Sequence, residues 1–489
     1  MTSTTASQAR PVVYAIAGID PSGHAGLLAD LRTLADLGCH GMAIPTSVTR
    51  QNSRRCDGAA ALDTPSIDAL WQCLSSDTLP AVVKVGLVPN AAQYDELRRC
   101  QQQHPEVTWI QDPVASASQA RQQLCRPQWL TGAIITPNLP ELALQLGESP
   151  ERYNCPDAIA AAAQRCLAMG ARAIWIKGGH GADARWIDDY FCDAERAFWM
   201  RKPRLATRHR RGTGCVLSSA LAAFLAQGKS LPDAVVLASA YVHQGVRLAQ
   251  PVAKGAGPVA QAGWPQARQD YPMIRAPRAE TPAFPSCDPQ GLYPLVDSVC
   301  WLERMLKAGV KTVQLRIKHL TGAPLKRALA EAVALGRAHE AQVFINDYWR
   351  EAMALGAYGV HLGQEDLADA DLKALARAGL RLGISCHSEA EWCRALAYSP
   401  SYIALGAAFA SPSKSVPTLA QADLQRWLTL LQSELPVVVI GGINRSTLPR
   451  LLQWGARHVA VISAVTEAAN PEAEVAHLQR LLAKANATE

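Results

Sequence analysis

Five prolines, Pro272, Pro277, Pro282, Pro285 and Pro289, fall between Tyr271 and Gln290. Proline has a fixed φ and no amide hydrogen, so a run this dense fits neither a helix interior nor a central strand. The segment reads as an extended linker over 268–290. It divides the 489 residues into one domain over 11–267 and a second over 291–489, both of ordinary size. Hydrophobic residues make up 49% and charged residues 18%, which suits packed cores and excludes a disordered chain. The net charge of +6 suits anionic small molecules and is too weak to argue for nucleic acid. No apolar run approaches the ~20 residues that span a bilayer, and Met1–Arg10 lacks the apolar centre of a signal peptide. The 13 cysteines are scattered, with no Cys-x-x-Cys pair, against a zinc ribbon or a disulfide framework. A reducing cytoplasm is the expected setting. The expected partners are small molecules, not nucleic acid or membrane, and a homo-oligomer is expected.

Before the linker, short β-branched runs alternate with Ala/Leu-rich stretches. Val12–Ala17, Met42–Val48, Val82–Val85, Val107–Gln111, Ala133–Thr136 and Ala173–Lys177 are the strand candidates. Leu27, Leu28, Leu31 and Leu34 mark a helical stripe between the first two. The alternation predicts an α/β domain with a largely parallel sheet. After the linker come eight strand candidates: Leu292–Val296, Thr312–Ile317, Gln342–Asn346, Gly359–Gly363, Leu380–Ser385, Tyr402–Gly406, Pro436–Gly441 and His458–Ser463. Eight β/α units predict a small (β/α)8 TIM barrel, in which polar residues at strand C-termini are the candidates for chemistry.

In the first domain, Gly212-Thr213-Gly214-Cys215 precedes an apolar helical stretch. Glycines at a helix start expose backbone N–H groups and the positive end of the dipole, which suits the charge on a transferred phosphoryl group. Cys215 falls in the first turn, where a lowered thiol pKa is expected and a proton could be taken from a substrate hydroxyl. The bland alternative is a buried Cys beside a close-packed turn. Other polar groups end successive strands: the turn Gly18–Gly26 with Asp30 beyond it, Arg50-Gln51-Asn52, Asp112-Pro113-Val114, Thr136–Glu141 and Lys177–His180. Together they point to a crevice above the sheet.

In the second domain, alternation puts Gln314, Arg316 and Lys318 on one face. Asn346 and Asp347 follow the third strand, and Gly363-Gln364-Glu365-Asp366 the fourth. Two carboxylates beside two cations suit a magnesium–diphosphate clamp: Asp347 and Asp366 on the metal, Arg316 and Lys318 on the phosphates. Ser385-Cys386-His387, the loop Phe409–Lys414, Gly441-Gly442 and Ile462-Ser463 close the later strands. Each feature alone is bland, since Gly-Gly is usually a turn and a lone Asp often a cap. Their joint placement favours a site.

The first domain resembles the hydroxymethylpyrimidine (phosphate) kinases of the ribokinase superfamily from about Val12 to Ala262, through Gly-Thr-Gly-Cys and the strand-end motifs. The resemblance implies a ribokinase-like α/β sandwich using ATP. Cys215 would be the base and Gly212, Thr213 and Gly214 the anion hole. Gly18, Asp30, Gln51 and Val114 would line the pyrimidine pocket. Asn138 and Glu141 match the N-x-x-E motif that places magnesium and phosphate, with Lys177 near the nucleotide. Four features depart from that pattern: His24 adds bulk to a Gly-rich turn, Arg211 stands where His is usual, Leu87 replaces a Met, and Ala115–Gln119 replaces a Gly-containing loop.

The second domain resembles thiamine-phosphate synthase across about Leu292–Asn470, through Gln-Leu-Arg-Ile-Lys, Ile-Asn-Asp, Gly-Val-His-Leu-Gly-Gln-Glu-Asp, Gly-Ile-Ser-Cys-His-Ser, Gly-Gly-Ile and Ile-Ser-Ala. That implies Gln314 and Ser385 near pyrimidine and diphosphate, and Asp347 and Asp366 on Mg2+. Arg316, Lys318, Asn346 and Lys414 would hold the diphosphate. Ser411 and Ser413 would lie near the thiazole phosphate with Gly442, Ile462 and Ser463. Joined, the two resemblances imply that hydroxymethylpyrimidine and its monophosphate are phosphorylated with MgATP. The diphosphate is then coupled to thiazole phosphate, giving thiamine phosphate and diphosphate. The competing expectations are a kinase for another ring alcohol, and a first domain that only binds pyrimidine phosphate.

Overall fold

The computed structural model describes residues 9–62, 67–114, 131–181, 183–410 and 417–487. Ser411, Ser413, Lys414 and the loop Ala115–Gln119 lie outside them. The chain divides into two compact units, Met1–Ala279 and Glu280–Glu489.

The first unit is built on ten strands. These are β1 (Val12–Ile19), β2 (His40–Gln51), β3 (Cys56–Ala61), β4 (Val82–Val85), β5 (Thr108–Gln111), β6 (Ile134–Ile135), β7 (Ala173–Ile176), β8 (Trp186–Asp193), β9 (Ala197–Pro203) and β10 (Met273–Ile274). They lie in the order β10-β9-β8-β7-β6-β5-β4-β1-β2-β3. The centre is parallel, as expected, while β3 pairs antiparallel at one edge and β8, β9 and β10 at the other. Among the described residues seven α-helices flank the sheet: α1 (Gly26–Asp36), α2 (Ile67–Ser75), α3 (Ala91–Gln103), α4 (Leu139–Leu146), α5 (Pro156–Ala168), α6 (Thr213–Ala226) and α7 (Leu231–Arg247).

Strand alternation decides which helices cover which face. Tyr14, Ile16, Val83, Val85, Ile174 and Ile176 share a buried cluster with Trp71 of α2, Tyr94 of α3, Leu142 of α4 and Cys166 of α5. The intervening residues, Ala15 and Lys84 among them, therefore face the opposite layer, where α1 and α6 pack. Helix α6 has no polar face to offer water, since Val216 through Phe224 are all buried.

The hairpin β8–β9 was not expected, because Asp188, Asp189, Arg201 and Lys202 break the apolar pattern of its strands. The charges cancel across the ladder. Arg201 grips Asp188 through two bonds of 2.7 and 2.9 Å, and Lys202 meets Asp189 at 2.7 Å.

The expected linker over 268–290 is shared between the units. Asp270 is fully buried against His243 (2.8 Å) and Arg247 of α7, and β10 extends the sheet beside β9. A two-residue edge strand is compatible with nearby prolines.

The second unit is a closed barrel of eight parallel strands: β11 (Leu292–Val296), β12 (Thr312–Leu315), β13 (Gln342–Asn346), β14 (Gly359–Leu362), β15 (Arg381–Cys386), β16 (Tyr402–Leu405), β17 (Val437–Ile440) and β18 (His458–Val461). These are the eight strands expected from the sequence. Tyr293, Phe344 and Tyr402 fill the interior, with Tyr402 edge to face with Tyr293 and Phe344 (centroids 5.8 and 5.1 Å apart) and Tyr293 tilted against Phe344 at 5.9 Å. Glycines make the room: a Cβ on Gly383 would lie 2.2 Å from the Tyr402 ring, and one on Gly359 2.5 Å from Phe344. Among the described residues no helix is long and apolar enough to cross a membrane.

Candidate active sites

A cavity of about 920 Å³ opens in the first unit. It collects Gly18, Gln51, Val114, Asn138, Glu141, Lys177, Gly212, Thr213, Gly214 and Cys215 from distant parts of the chain. Gly212 caps α6 at φ +79°, and a Cβ there would lie 2.2 Å from the His24 carbonyl oxygen. Only glycine serves both the left-handed conformation and the close approach. Asp20 organises the Gly18–Gly26 turn: its carboxylate accepts from the Ser22 and Ala25 amides (2.9 and 3.1 Å) and from Gln51 Nε2 (3.0 Å).

In the same cavity, Lys177 Nζ is 2.8 Å from Asp112 and 3.5 Å from Glu141. Both carboxylates and the ammonium are largely buried. Asn138 and Glu141 form a capping box on α4, exchanging bonds of 2.9 and 2.8 Å. Burial pushes the Glu141 carboxyl up, Lys177 opposing it. Burial works against the Lys177 ammonium, but Asp112 and Glu141 raise it above its ordinary value.

Two sequence expectations are corrected here. Cys215 does not have a lowered thiol pKa: burial pushes it up to about 11, with Asp30 and Asp112 acting the same way, against Lys84 and the Gly26 amide. Asp30 is not among the lining residues. It is fully buried beneath them, 2.7 Å from Lys84. His24, which adds bulk to the Gly-rich turn, is 4% exposed, its Nδ1 meets Ser22 Oγ at 2.8 Å, and it is not part of the cavity lining. Arg211 and Leu87 do line it. Asp112 was expected only as one of the strand-end groups at the crevice, and Lys84 was not singled out from sequence. The usable signal was a lysine inside Val82-Val83-Lys84-Val85, where a strand covered on both faces has no place for an unpaired charge.

In the barrel, Asn346 and Asp347 end β13, and the Asp347 amide bonds the His361 carbonyl of β14 at 3.0 Å. Asp347 holds a left-handed φ of +63° and pairs with Lys318. Asp366, after β14, accepts the Gly363 amide at 3.0 Å. Arg316 lies just past the end of β12. Gly442 follows β17 with φ +60°, and Ile462 and Ser463 follow β18 next to it. Inside runs a chain of hydrogen bonds. Gln314 Nε2 donates to Tyr293 Oη (3.2 Å), which meets Tyr402 Oη (2.8 Å). Tyr402 Oη meets His361 Nδ1 (2.7 Å), and His361 Nε2 meets Ser385 Oγ (2.8 Å). Burial pushes both phenols far above their ordinary pKa. The chain thus joins Gln314 and Ser385, both expected in the site, through three residues not singled out from sequence. Their signal was polar side chains at inward positions of otherwise apolar strands.

Comparison with known proteins assigns the two units. The phosphomethylpyrimidine kinase family matches residues 20–260 and the thiamine monophosphate synthase family residues 290–465. The thiamine-phosphate synthase of Pectobacterium atrosepticum is 48% identical over 204 residues, covering 41% of this chain and 96% of that protein. That of Serratia proteamaculans is 50% identical over 194 residues, covering 39% and 91%. Among solved structures, pyridoxal kinase from Staphylococcus aureus in complex with AMP-PCP and pyridoxal is similar at a TM-score of 0.49 and 24% identity, covering 55% of this chain and 98% of that one. Phosphomethylpyrimidine kinase from Clostridium difficile 630 is similar at 0.39 and 25% identity, covering 46% and 95%. The chain belongs to the thiamine-phosphate synthase family through its second unit and carries a phosphomethylpyrimidine kinase domain as its first, so that one polypeptide holds two enzymes of thiamine biosynthesis.

Proposed function

We propose that the first cavity transfers phosphoryl groups from ATP to hydroxymethylpyrimidine and then to its monophosphate, and that the strand ends of the barrel couple the diphosphate to thiazole phosphate. The observation that carries the kinase reading is the convergence of Cys215, the α6 N-terminus and the Lys177 cluster in one cavity. A Cβ on Gly214 would lie 3.2 Å from Asp112 and 3.3 Å from Lys177 Nζ, so that cluster stands directly against the helix start. Cys215 would accept the proton of the hydroxymethyl group as its oxygen bonds the terminal phosphorus and ADP departs. Amides of Gly212 to Cys215 would receive the charge on the transferred group. A volume of about 920 Å³ accommodates a nucleotide beside a pyrimidine ring.

In the barrel, the bond from the pyrimidine methylene to diphosphate would break and the thiazole nitrogen would bond that carbon. Arg316, Lys318 and Asn346, with Lys414, would hold the diphosphate. Gln314 and Ser385 would hold the pyrimidine, and Gly442, Ile462 and Ser463, with Ser411 and Ser413, the thiazole phosphate. Asp347 and Asp366 offer a hard, all-oxygen donor pair on adjacent strand ends, and the bonds above engage one oxygen of each. That donor set fits Mg2+, which favours a few carboxylates plus phosphate oxygens. Bound there, Mg2+ supplies charge stabilisation to the departing diphosphate. In the kinase unit, Asn138 and Glu141 would serve Mg2+ and the ATP phosphates. The twelve cysteines among the described residues are free, which suits a cytoplasmic setting. Replacing Cys215 by Ala tests the assignment of the two sites: turnover of hydroxymethylpyrimidine should fall ~10²–10⁴-fold with the synthase reaction on supplied diphosphate unchanged. A variant that phosphorylates this alcohol at the parent rate removes Cys215 from the mechanism.

A further inference from the structure

Lys84 joins three elements around Cys215, and the roles above leave it unused. Its side chain is fully buried on β4, and its Nζ is 2.7 Å from Asp30 Oδ2. The second oxygen of Asp30 accepts from Ser219 Oγ at 2.9 Å. Asp30 stands one turn into α1 from Gly26, and Ser219 one turn into α6 from Cys215. Gly26 N–H in turn donates to Cys215 Sγ at 3.3 Å. Helices α1 and α6 are therefore cross-linked by two rungs one turn apart: amide to thiol at the cavity, carboxylate to hydroxyl beneath it. Lys84 is clamped to the lower rung and lines the cavity beside Cys215.

Charge gives this arrangement a purpose. Burial disfavours the Cys215 thiolate, and Asp30 on α1 and Asp112 after β5 disfavour it further. Lys84 and the Gly26 amide act the other way. Lys177, after β7, also faces the thiol but is engaged by Asp112 and Glu141. Burial opposes the Lys84 ammonium as well, yet Asp30, Cys215 and Asp112 together hold it above its ordinary pKa, so it stays charged.

Resting on the kinase reading above, we propose that Lys84, held in place by Asp30 and Ser219, is the positioning residue that lets Cys215 act as a base, and that it serves the first phosphorylation rather than the second. The two nucleophiles differ in what they need. A hydroxymethyl group must lose its proton as the O–P bond forms. A phosphate monoester oxygen is already anionic at neutral pH and attacks without a base. Cys215 accepts one proton in the first transfer and none in the second.

The test uses the full chain with Lys84→Met, assayed separately on hydroxymethylpyrimidine and on its monophosphate, with Cys215 alkylation by iodoacetamide followed by peptide mass spectrometry. The expected loss of kcat on the alcohol is at least tenfold larger than on the monophosphate, and alkylation at pH 8 slows several-fold. Equal losses on both substrates with unchanged alkylation overturn the inference. Ser219→Ala removes one hydroxyl from the lower rung and is the second variant should Lys84→Met not fold. It should show the same preference for the alcohol, more weakly, and a loss shared equally by both substrates overturns the inference too. A parent chain that phosphorylates neither substrate, while its Cys215 alkylation still depends on Lys84, refutes the kinase reading and supports the link between Lys84 and Cys215.

Discussion

At Cys215 local forces oppose one another. The α6 N-terminus favours a thiolate there, but burial outweighs it and sets the thiol at about 11. If the thiolate is the base, kcat/KM for the alcohol, which reports the free enzyme, should climb about tenfold per pH unit from pH 7 to 9. A flat profile over that range would show that the proton goes elsewhere. At the barrel rim, Asp366 offers the corresponding contrast between a role in packing and one in chemistry. A carboxylate that merely bonds the Gly363 amide contributes about 1.5–3 kcal/mol to stability and nothing to turnover, whereas stabilising leaving-group charge through a metal lowers the barrier by several kcal/mol. Asp366→Ala should therefore lower synthase turnover by orders of magnitude with kinase activity unchanged, and excess magnesium should restore part of it. Turnover within a few-fold of the parent at limiting magnesium would make Asp366 structural. Residues such as Cys215 and Asp366 could be nominated from sequence because their motifs are local. Lys84 was not, because its meaning depends on Asp30 and Ser219, and contacts 54 and 189 positions apart leave no trace in local spacing.

Elements were readable where one period dominates. The eight barrel strands are apolar runs bounded by turns, and all eight are present. The hairpin β8–β9 was hidden because its charges are satisfied across the ladder and not by solvent. The proline-rich segment was half legible: prolines exclude helix and central strand, but they do not exclude docking. Residues 285–288 close the N-terminal rim of the barrel. The Pro285 carbonyl accepts from Ser401 Oγ (2.6 Å), the Ser286 carbonyl from Arg381 Nε (3.2 Å), and the Asp288 carbonyl from Gln342 Nε2. Cys287 packs against the aromatic core, where burial pushes its thiol up to about 12. A fragment beginning at Gln290 loses all of this and one beginning at Glu280 keeps it. With three hydrogen bonds at about 1 kcal/mol each, the shorter fragment should melt roughly 6–12 °C lower. Equal melting temperatures would show that the segment only rests on the rim. Within the barrel, Gly383→Ala should cost more than a surface change, because its Cβ has the Tyr402 ring 2.2 Å away. Displacing that ring should also break the bond to His361 and impair the synthase reaction. A fully stable and active variant would mean the ring can move freely.

For the whole molecule, the two compact units are matched by a phosphomethylpyrimidine kinase family and a thiamine monophosphate synthase family, and the reactions proposed for them share an intermediate. On the proposed reading, two successive phosphorylations of the pyrimidine alcohol yield a diphosphate, and the cations and carboxylates at the barrel's strand ends would release it. The central claim is that one polypeptide carries out the sequence from alcohol to coupled product, and it is tested most directly by incubating the purified chain with hydroxymethylpyrimidine, thiazole phosphate and MgATP and quantifying every product. Two ADP and one diphosphate should accumulate per thiamine phosphate formed. Thiamine phosphate that appears only when pyrimidine diphosphate is supplied, with no ADP formed from the alcohol or its monophosphate, would contradict the account and leave the first unit without a catalytic role.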